Sequence, residues 1–288
     1  MKAHKAHLLL IDPQNDFCDL PENYRPLDPH SHSHQESALP VAGAHADMQR
    51  AAAFVRAAGG SISEITVTLD SHHRIDIAHP TFWQTAAGLA VAPFTTITAA
   101  QLRAGEFAPR NAAALPRAQA YLDELESRGR YTLMVWPVHC QIGSWGHNIH
   151  ADVLAACSAW EEQQQKPVNV LNKGANPWTE HYSAVLAEVP DADDPGTQLN
   201  LKLIQQLDQA GVLLVAGEAS SHCVKATVEH IVAHLPSGKL GKIVLLTDCM
   251  SPVGGFEVQH AAFFADMHAK GVQLMHSHEA LEQIQEKP

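Results

Sequence analysis

The stretch GVLLVAGEASSHCVKATV, residues 211–228, joins an apolar run to an amphipathic pattern through a turn of small residues. Residues 211–216 are continuously apolar, which is typical of a strand covered on both faces. The pattern from Cys223 onward predicts a helix, so a thiol stands where a strand leads into a helix N-terminus. A free cysteine is more often simply a small buried apolar residue. The partial positive charge of a helix N-terminus can also stabilise a reactive thiolate, which makes Cys223 a candidate nucleophile.

Short apolar runs of this kind alternate with helical patterns along the 288-residue chain. Strands are predicted over residues 7–12, 63–69, 131–136, 167–172, 211–216 and 242–247, with a short additional one over 272–275. Helices are predicted over residues 44–58, 115–129, 197–210, 223–235 and 257–271. Three of them end beside a glycine suited to a left-handed C-cap: Gly129, Gly211 and Gly271. This alternation favours a parallel sheet with helices on both faces.

Composition and charge narrow the class of protein. The hydrophobic fraction of 45% is ordinary for a globular protein, and a formal net charge of −12 argues against binding to nucleic acid phosphates. No apolar run approaches the roughly 20 residues that a membrane span needs, and the first run meets Asp12 and Pro13, which predicts a strand rather than a signal peptide. Five scattered cysteines do not form a disulfide framework. We therefore expect a cytoplasmic protein with reduced thiols and with neither nucleic acid nor membrane as a partner.

Residues 1–288 are expected to form one domain, because the chain contains no internal repeat and no linker. The segment from about 80 to 115 is irregular and rich in alanine, proline and threonine. We expect an insertion lying over the core, and lids commonly arise from such segments. Several of the twenty histidines fall in the polar stretch DPHSHSHQE, residues 28–36, where we expect a solvated loop.

Reactive side chains follow five of the predicted strands. In an open α/β sheet the ligand site forms at the carboxyl ends of the strands. Asp12 closes the first strand, LDSHH (69–73) follows the second, WPVHC (136–140) closes the third, and Lys173 and Cys223 follow the fourth and fifth. Each residue alone is weak evidence, but their convergence on one edge of the sheet predicts a functional site there.

Asp12, Lys173 and Cys223 form the first candidate set. A thiol with a pKa of about 8.5 needs a base or a nearby cation to become a good nucleophile near neutral pH. The Asp12 carboxylate can take the proton, and the Lys173 ammonium can favour the thiolate. The alternative is an ion pair of Asp12 and Lys173 that only fixes two loops. A serine hydrolase is not indicated, because the sequence has no G-x-S-x-G elbow.

Asp70, His72 and His139 form the second candidate set. Asp70 and His72 leave the same predicted strand end, and His139 arrives from the next one. A carboxylate and two imidazoles suit one divalent metal ion, Zn²⁺, Fe²⁺ or Mn²⁺, and leave positions open for water or substrate. His73 and His79 are near enough in sequence to add a ligand or a supporting hydrogen bond. The alternative is that a histidine-rich chain places histidines in loops without a metal.

Five segments, taken in order, resemble the cysteine hydrolases of the isochorismatase-like superfamily, and within it the nicotinamidase (pyrazinamidase) family. They are DPQNDFC (12–18), LDSHH (69–73), WPVHC (136–140), NKG (172–174) and GEASSHCV (217–224). They span most of the chain in the family's order. The combination of D-x-H with W-P-x-H-C is the specific part, because superfamily members without the metal generally lack it.

The resemblance implies a doubly wound α/β fold with a mainly parallel six-stranded sheet. It also implies a catalytic triad of Asp12, Lys173 and Cys223. Similar enzymes carry a cis peptide bond in the turn before the nucleophile, which here would join Glu218 to Ala219. The backbone N–H groups of Ala219 and Cys223 would then form the oxyanion hole.

The resemblance further implies one divalent metal ion held by Asp70, His72 and His139. A further histidine often completes the family's metal site, and His79 is the nearest candidate. The substrate would lie between two aromatic side chains, since the positions that sandwich a pyridine ring in similar enzymes are occupied here by Phe17 and Trp136.

Two features depart from the family pattern. The turn before the nucleophile usually reads G-x-A-T-D-x-C, whereas GEASSHC has Ser220 and Ser221 in place of Thr and Asp. The stretches of about 20–40 and about 83–130 are longer than usual. As insertions near the site, they bear on the choice of substrate more than on the chemistry.

The resemblance implies hydrolysis of nicotinamide, or of a similar aromatic carboxamide, to the acid and ammonia through a thioester on Cys223. Cys140 is the other thiol near a strand end, and we expect it to be structural because nothing in the sequence offers it a base. Three alternatives stay open: an amidohydrolase acting on another small amide or carbamoyl compound, a vinyl ether hydrolase of the isochorismate type, and a catalytically silent binding protein. The sequence also leaves open which metal binds and whether the chain forms a homo-oligomer.

Overall fold

The computed structural model describes residues 6–286, which form ten strands and eight α-helices. The strands are β1 Ala6–Ile11, β2 Ile62–Asp70, β3 Trp83–Thr85, β4 Thr95–Ile97, β5 Phe107–Pro109, β6 Leu133–Val135, β7 Asn169–Lys173, β8 Val212–Gly217, β9 Ile243–Leu246 and β10 Gln273–Met275. The helices are α1 Ala44–Ala58, α2 Ala99–Arg103, α3 Leu115–Ser127, α4 Ala151–Gln164, α5 Leu201–Asp208, α6 Cys223–His234, α7 Glu257–Ala269 and α8 Ser277–Glu286.

Six of the strands form one sheet in the order β10-β9-β8-β1-β2-β7. Every pairing in this sheet is parallel. All residues of β1 and β8 are buried, as expected of central strands that are covered on both faces. The predicted α/β fold, with a doubly wound, mainly parallel six-stranded sheet flanked by helices, is confirmed.

The strand order reverses between β1 and β8. From β1 the chain adds β2 and β7 on one side, and it then adds β8, β9 and β10 on the other. Ligands of open α/β sheets bind beyond the carboxyl ends of the strands at such a reversal. Asp12 follows β1 and Cys223 begins the helix after β8, so both lie at this crevice, while Asp70 and Lys173 end the neighbouring strands β2 and β7.

The prediction that residues 131–136 belong to the central sheet is wrong. Only Leu133–Val135 forms a strand, β6, and it pairs antiparallel with β4 in a separate two-stranded sheet. The sixth central strand is β10, within the short additional stretch predicted over 272–275. An apolar run identifies a buried strand but not its partner, because side chains that suit one pleated surface also suit another.

The first residues of the helices agree with the prediction more often than their last residues do. The bounds of α1 match the prediction, whereas α3, α6 and α7 begin at the predicted residue and end one or two residues early. Helix α5 starts later than predicted because Asn200 caps it, accepting the N–H of Leu203 at 3.0 Å. Helix α4 was not predicted. Its cap is His150, which accepts the N–H of Asp152 at 3.2 Å and is not a usual capping residue.

The segment of about 83–130 is more regular than its composition predicts. It contains β3, β4, α2, β5 and α3, with β3 and β5 paired antiparallel. Thr98 and Gln101 form a capping box at the start of α2. Apolar side chains of this segment, among them Trp83, Leu102 and Leu122, form a second buried cluster beside the main core. This segment is therefore stabilised largely by its own packing.

Two further findings bear on the predictions made from composition. Residues 28–36 form no helix and lie mostly at the surface, as expected of a solvated loop. Across residues 6–286, none of the helices has the length and apolar character needed to cross a membrane.

Candidate active site

The carboxyl group of Asp12 is fixed at the end of β1 by Thr68 of β2. Thr68 Oγ1 donates to Asp12 Oδ1 at 2.5 Å, and the N–H of Asp12 donates to the Thr68 carbonyl oxygen at 3.1 Å. Asp12 has a φ of 46°, which is uncommon outside glycine, and its side chain is fully buried. The carboxyl group is therefore held in one position within the crevice.

Lys173 contacts both carboxylates and the thiol at the strand ends. Its Nζ lies 2.9 Å from Asp12 Oδ2 and 3.0 Å from Asp70 Oδ1, and it donates to the His181 carbonyl oxygen at 3.0 Å. The same atom lies 3.6 Å from Cys223 Sγ. Lys173 and Cys223 are only 3% and 6% exposed. A carboxylate oxygen of Asp12, one of Asp70 and the Cys223 sulfur all lie within 4.8 Å of one another.

Burial and the two carboxylates govern the charges in this group. Burial raises the pKa of Cys223 well above its usual value, an effect that Lys173 opposes and that Asp12 and Asp70 strengthen. Burial also raises the pKa of Asp12, against the pull of Lys173. Burial alone would lower the pKa of Lys173, but the carboxylates raise it well above its usual value. The resting arrangement is thus a neutral thiol beside an ammonium group, and its activation requires a base.

The turn from Gly217 to Ser220 is attached to the segment after β9 by three hydrogen bonds. The N–H of Gly217 donates to the Cys249 carbonyl oxygen at 3.0 Å, and the N–H of Ser220 donates to the Ser251 carbonyl oxygen at 2.9 Å. In return, the N–H of Ser251 donates to Glu218 Oε2 at 3.1 Å. The backbone that leads to the nucleophile candidate is therefore held from both sides.

The peptide bond between Glu218 and Ala219 is cis. Within residues 6–286, the backbone N–H groups of Ala219 and Cys223 have no hydrogen-bond acceptor. Both residues also line the cleft described below. Two free N–H groups beside a thiol are suited to stabilising an oxyanion that forms during attack.

Three histidines and an aspartate meet beside the triad residues. One ring nitrogen from each of His72, His79 and His139 lies within 4.8 Å of the others, and all three residues are buried. Asp70 Oδ2 lies 3.0 Å from His72 Nε2 and 3.4 Å from His139 Nε2. His79 Nε2 lies 3.3 Å from His139 Nδ1. Buried imidazoles with a carboxylate are the donor set that Zn²⁺, Fe²⁺ or Mn²⁺ prefers, so these residues fit a divalent metal.

Two residues that the sequence did not single out support this group. Asp76 Oδ2 lies 3.0 Å from His72 Nδ1, and such a carboxylate fixes the orientation of a metal-binding imidazole. Burial alone would lower the pKa of His72, but Asp70 and Asp76 raise it well above its usual value. Gln14 accepts the N–H of Asp70 at 2.7 Å and donates to the Asp70 carbonyl oxygen at 2.8 Å. The available signal for Asp76 was a carboxylate four residues after a candidate ligand.

A narrow cleft leads to the thiol, and most of its walls are apolar or aromatic. It is lined by Phe17, Leu39, Asp70, Trp136, His139, Glu180, Tyr182, Ala219, His222, Cys223 and Val253. Trp136 Nε1 donates to the Tyr182 hydroxyl at 2.9 Å, and the Trp136 ring stands perpendicular to that of His222 at 5.1 Å. The two residues expected to contact a ring, Phe17 and Trp136, thus line the same cleft as Cys223. Apolar walls with a few polar groups are typical of a small-molecule site.

The two longer stretches contribute differently to this cleft. Leu39, from the stretch of about 20–40, is one of the lining residues. No described residue of the stretch 83–130 lines the cleft, but two contact it from behind. Phe94 packs edge-on against Trp136 at 5.9 Å, and the Tyr121 hydroxyl accepts the N–H of Glu180 at 3.2 Å.

Cys140 lies apart from the cleft. Its side chain is fully buried, it is not among the lining residues, and its N–H donates to Asp16 Oδ2 at 2.6 Å. Burial raises the pKa of its thiol well above the usual value, and Asp70 adds to the shift. Cys223 has the same kind of pKa shift, but it lines the cleft and contacts Lys173, whereas the Cys140 thiol does not reach the cleft.

No protein-family model and no curated protein matches the sequence. Several solved structures share its fold. The yeast nicotinamidase bound to the inhibitor nicotinaldehyde superimposes with a TM-score of 0.62 at 18% identity, over 94% of this chain and 99% of the other. The Pyrococcus horikoshii pyrazinamidase in complex with zinc superimposes with a TM-score of 0.52 at 17% identity, over 94% of this chain and 99% of the other. An isochorismatase-like hydrolase from Alkaliphilus metalliredigens superimposes with a TM-score of 0.52 at 13% identity, over 97% of this chain and 98% of the other. The chain therefore has the isochorismatase-like α/β fold.

Proposed function

We propose that this chain, which has the isochorismatase-like fold, is a metal-dependent amidase. It hydrolyses nicotinamide, or a similar aromatic carboxamide, to the acid and ammonia through a thioester on Cys223. The observation that carries the proposal is the contact of Lys173 Nζ with Asp12 at 2.9 Å and with Cys223 Sγ at 3.6 Å, at the crevice where the strand order reverses. A thiol, a base and a cation on separate strand ends form the arrangement that nucleophilic amide hydrolysis requires.

The first half of the reaction acylates the enzyme. Asp12 takes the proton from Cys223 Sγ, and Lys173 stabilises the thiolate. The sulfur attacks the amide carbon, and the N–H groups of Ala219 and Cys223 hold the oxyanion that forms. As the C–N bond breaks, Asp12 returns its proton to the departing nitrogen, which leaves as ammonia.

The second half releases the acid. Water attacks the thioester carbon as Asp12 takes one of its protons, and the same N–H groups hold the second oxyanion. The C–S bond then breaks, and Asp12 returns the proton to the sulfur to restore the Cys223 thiol. One water is consumed, and the products are one carboxylic acid and one ammonia.

The metal site and the cleft support an aromatic substrate. Asp70, His72, His79 and His139 would hold one divalent ion, which supplies a Lewis acid able to bind and orient a ring nitrogen. Phe17 and Trp136 would contact the faces of the ring. The similar structures include a nicotinamidase with bound nicotinaldehyde and a pyrazinamidase with bound zinc, in agreement with this assignment.

The direct test is ammonia release by the metal-loaded protein. Nicotinamide, pyrazinamide, benzamide and a set of carbamoyl and ureido compounds are compared at equal concentrations. The proposal expects the pyridine and pyrazine amides to react fastest and expects Cys223→Ala to abolish release. Turnover confined to carbamoyl or ureido compounds would assign the other amidohydrolase activity. Stoichiometric metal without turnover of any amide would indicate a binding protein.

A further inference from the structure

Glu180 is a buried carboxyl group in the cleft that the proposed chemistry does not use. It lies in the loop after β7 and is 4% exposed. It lines the cleft together with Cys223 and Asp70. Asp70 is paired with Lys173 and the histidines, whereas Glu180, the other lining carboxyl group, forms no ion pair among the described residues.

The backbone around Glu180 anchors it beside the lysine of the triad. Its Oε1 accepts the N–H of His181 at 3.1 Å, and its own N–H donates to the Tyr121 hydroxyl at 3.2 Å. The carbonyl oxygen of His181 accepts from Lys173 Nζ, the same atom that lies 3.6 Å from Cys223 Sγ. The loop that carries Glu180 is therefore fixed to the lysine of the triad, and its carboxyl group lines the same cleft as Cys223.

The second carboxyl oxygen, Glu180 Oε2, is buried and has no hydrogen-bond partner within residues 6–286. A buried oxygen without a partner costs free energy, so such groups normally have a donor or belong to a site that a ligand completes. Among the described residues, Glu180 forms no hydrogen bond or ion pair with His72, His79 or His139, whereas Asp70 contacts two of these histidines.

We infer that Glu180 binds the nitrogen of the substrate's carboxamide. Its Oε2 accepts one amide N–H, while the carbonyl oxygen of the same group faces the N–H groups of Ala219 and Cys223. The inference rests on the proposed function and deepens it, because it names the residue by which the site selects a primary amide over an ester. An ester of the same acid presents the same ring and carbonyl group but has no N–H for Glu180.

The electrostatics of the site agree with this role. Burial raises the pKa of Glu180 to about 8, so the carboxyl group is mostly uncharged near neutral pH when nothing donates to Oε2. A donor at Oε2, in addition to the His181 N–H at Oε1, stabilises the ionised form. The amide thus brings the hydrogen bond that the buried carboxyl group lacks.

The test compares nicotinamide with methyl nicotinate in the wild type, Glu180→Leu and Glu180→Gln. We expect Glu180→Leu to lower kcat/KM for the amide by about tenfold to a hundredfold, the usual effect of losing a hydrogen bond to a charged group. The same substitution should change kcat/KM for the ester by less than about threefold, because the ester has no N–H to donate to Glu180. Glu180→Gln keeps one side-chain oxygen, so its kcat/KM for the amide should lie between the values of the wild type and Glu180→Leu. Binding of both compounds to these variants in a Cys223→Ala background, measured by calorimetry, separates affinity from turnover.

The outcomes distinguish this inference from the function on which it rests. Wild-type protein that turns over neither compound refutes the proposed amidase, and this inference with it. Wild-type turnover with an unchanged amide-to-ester ratio in Glu180→Leu refutes the inference alone. An equal loss for both substrates, with or without loss of bound metal, also refutes it and assigns Glu180 a structural role.

Discussion

Lys173 Nζ donates a hydrogen bond to Asp70 Oδ1 at 3.0 Å, and this contact joins the two parts of the site. The other oxygen of Asp70 faces His72 at 3.0 Å and His139 at 3.4 Å. One carboxylate therefore belongs both to the group that would perform nucleophilic attack and to the group that would hold the metal. A change on either side is expected to reach the other through Asp70.

Metal binding should depend on His72 and not on its neighbour His73. His72 is buried beside Asp70, whereas His73 is exposed and its side chain is not among the candidate ligands. We expect His72→Ala to lose bound metal and most of the turnover, and His73→Ala to keep both. Metal content measured by mass spectrometry of the purified variants checks this. Full metal occupancy in His72→Ala would show that the metal lies elsewhere.

Asp76 should control metal affinity without being a ligand. Its carboxylate lies 3.0 Å from His72 Nδ1, and removing such a partner typically costs tenfold to a hundredfold in metal affinity. We expect Asp76→Ala to weaken metal binding by about that factor. Competition with a chelator of known affinity measures the change, and added metal should restore much of the turnover. An unchanged affinity would mean that the His72 ring is fixed by other contacts.

Lys173 should contribute to stability as well as to activity. It is buried between two carboxylates, and removing one partner of a buried ion pair typically costs about 3–5 kcal/mol. We expect Lys173→Met to lower the free energy of unfolding by about this amount and to abolish turnover. Urea unfolding of the metal-free protein provides the measurement. The double variant Lys173→Met with Asp12→Asn should recover part of the loss, and no recovery would argue against direct coupling of the two side chains.

Glu218 should act by positioning the turn that carries the free N–H groups. Its Oε2 accepts the N–H of Ser251, and burial raises the pKa of its carboxyl group well above the usual value, with a further contribution from the nearby Asp47. Glu218→Gln keeps the acceptor and should retain activity. Glu218→Ala should lower kcat by at least about tenfold with little change in KM, because the loss of one oxyanion donor typically lowers the rate by a hundredfold or more. Steady-state kinetics separates the two parameters. A change in KM alone would place the effect on substrate binding.

Much of the central sheet could be predicted from the sequence, because its strands are continuous apolar runs such as β1 and β8. The carboxyl ends of parallel strands meet at one edge, so residues that follow those runs could be expected to lie together. The four residues that the sequence places together in this way are Asp12, Asp70, Lys173 and Cys223. It could not assign a partner to β6, since apolar periodicity carries no information about the neighbouring strand.

The remaining parts of the site depend on contacts between distant loops. Glu180 lines the cleft from the loop after β7, and its N–H donates to the hydroxyl of Tyr121, which lies in the segment of about 83–130. Tyr182 is held by Trp136, a residue 46 positions away. No local sequence pattern predicts such contacts, because each depends on the packing of the whole fold. Asp76 is the exception, because a carboxylate four residues after the candidate ligand His72 is itself a local signal.

The central claim is that the Cys223 sulfur forms a thioester with the acyl group of the substrate. Acid quenching of the metal-loaded protein during turnover of nicotinamide, followed by mass spectrometry of its peptides, tests this most directly. We predict a nicotinoyl group on the peptide that contains Cys223 and none on the peptide that contains Cys140. Turnover of nicotinamide by the Cys223→Ala variant, or an acyl group found on Cys140 instead, would contradict the account.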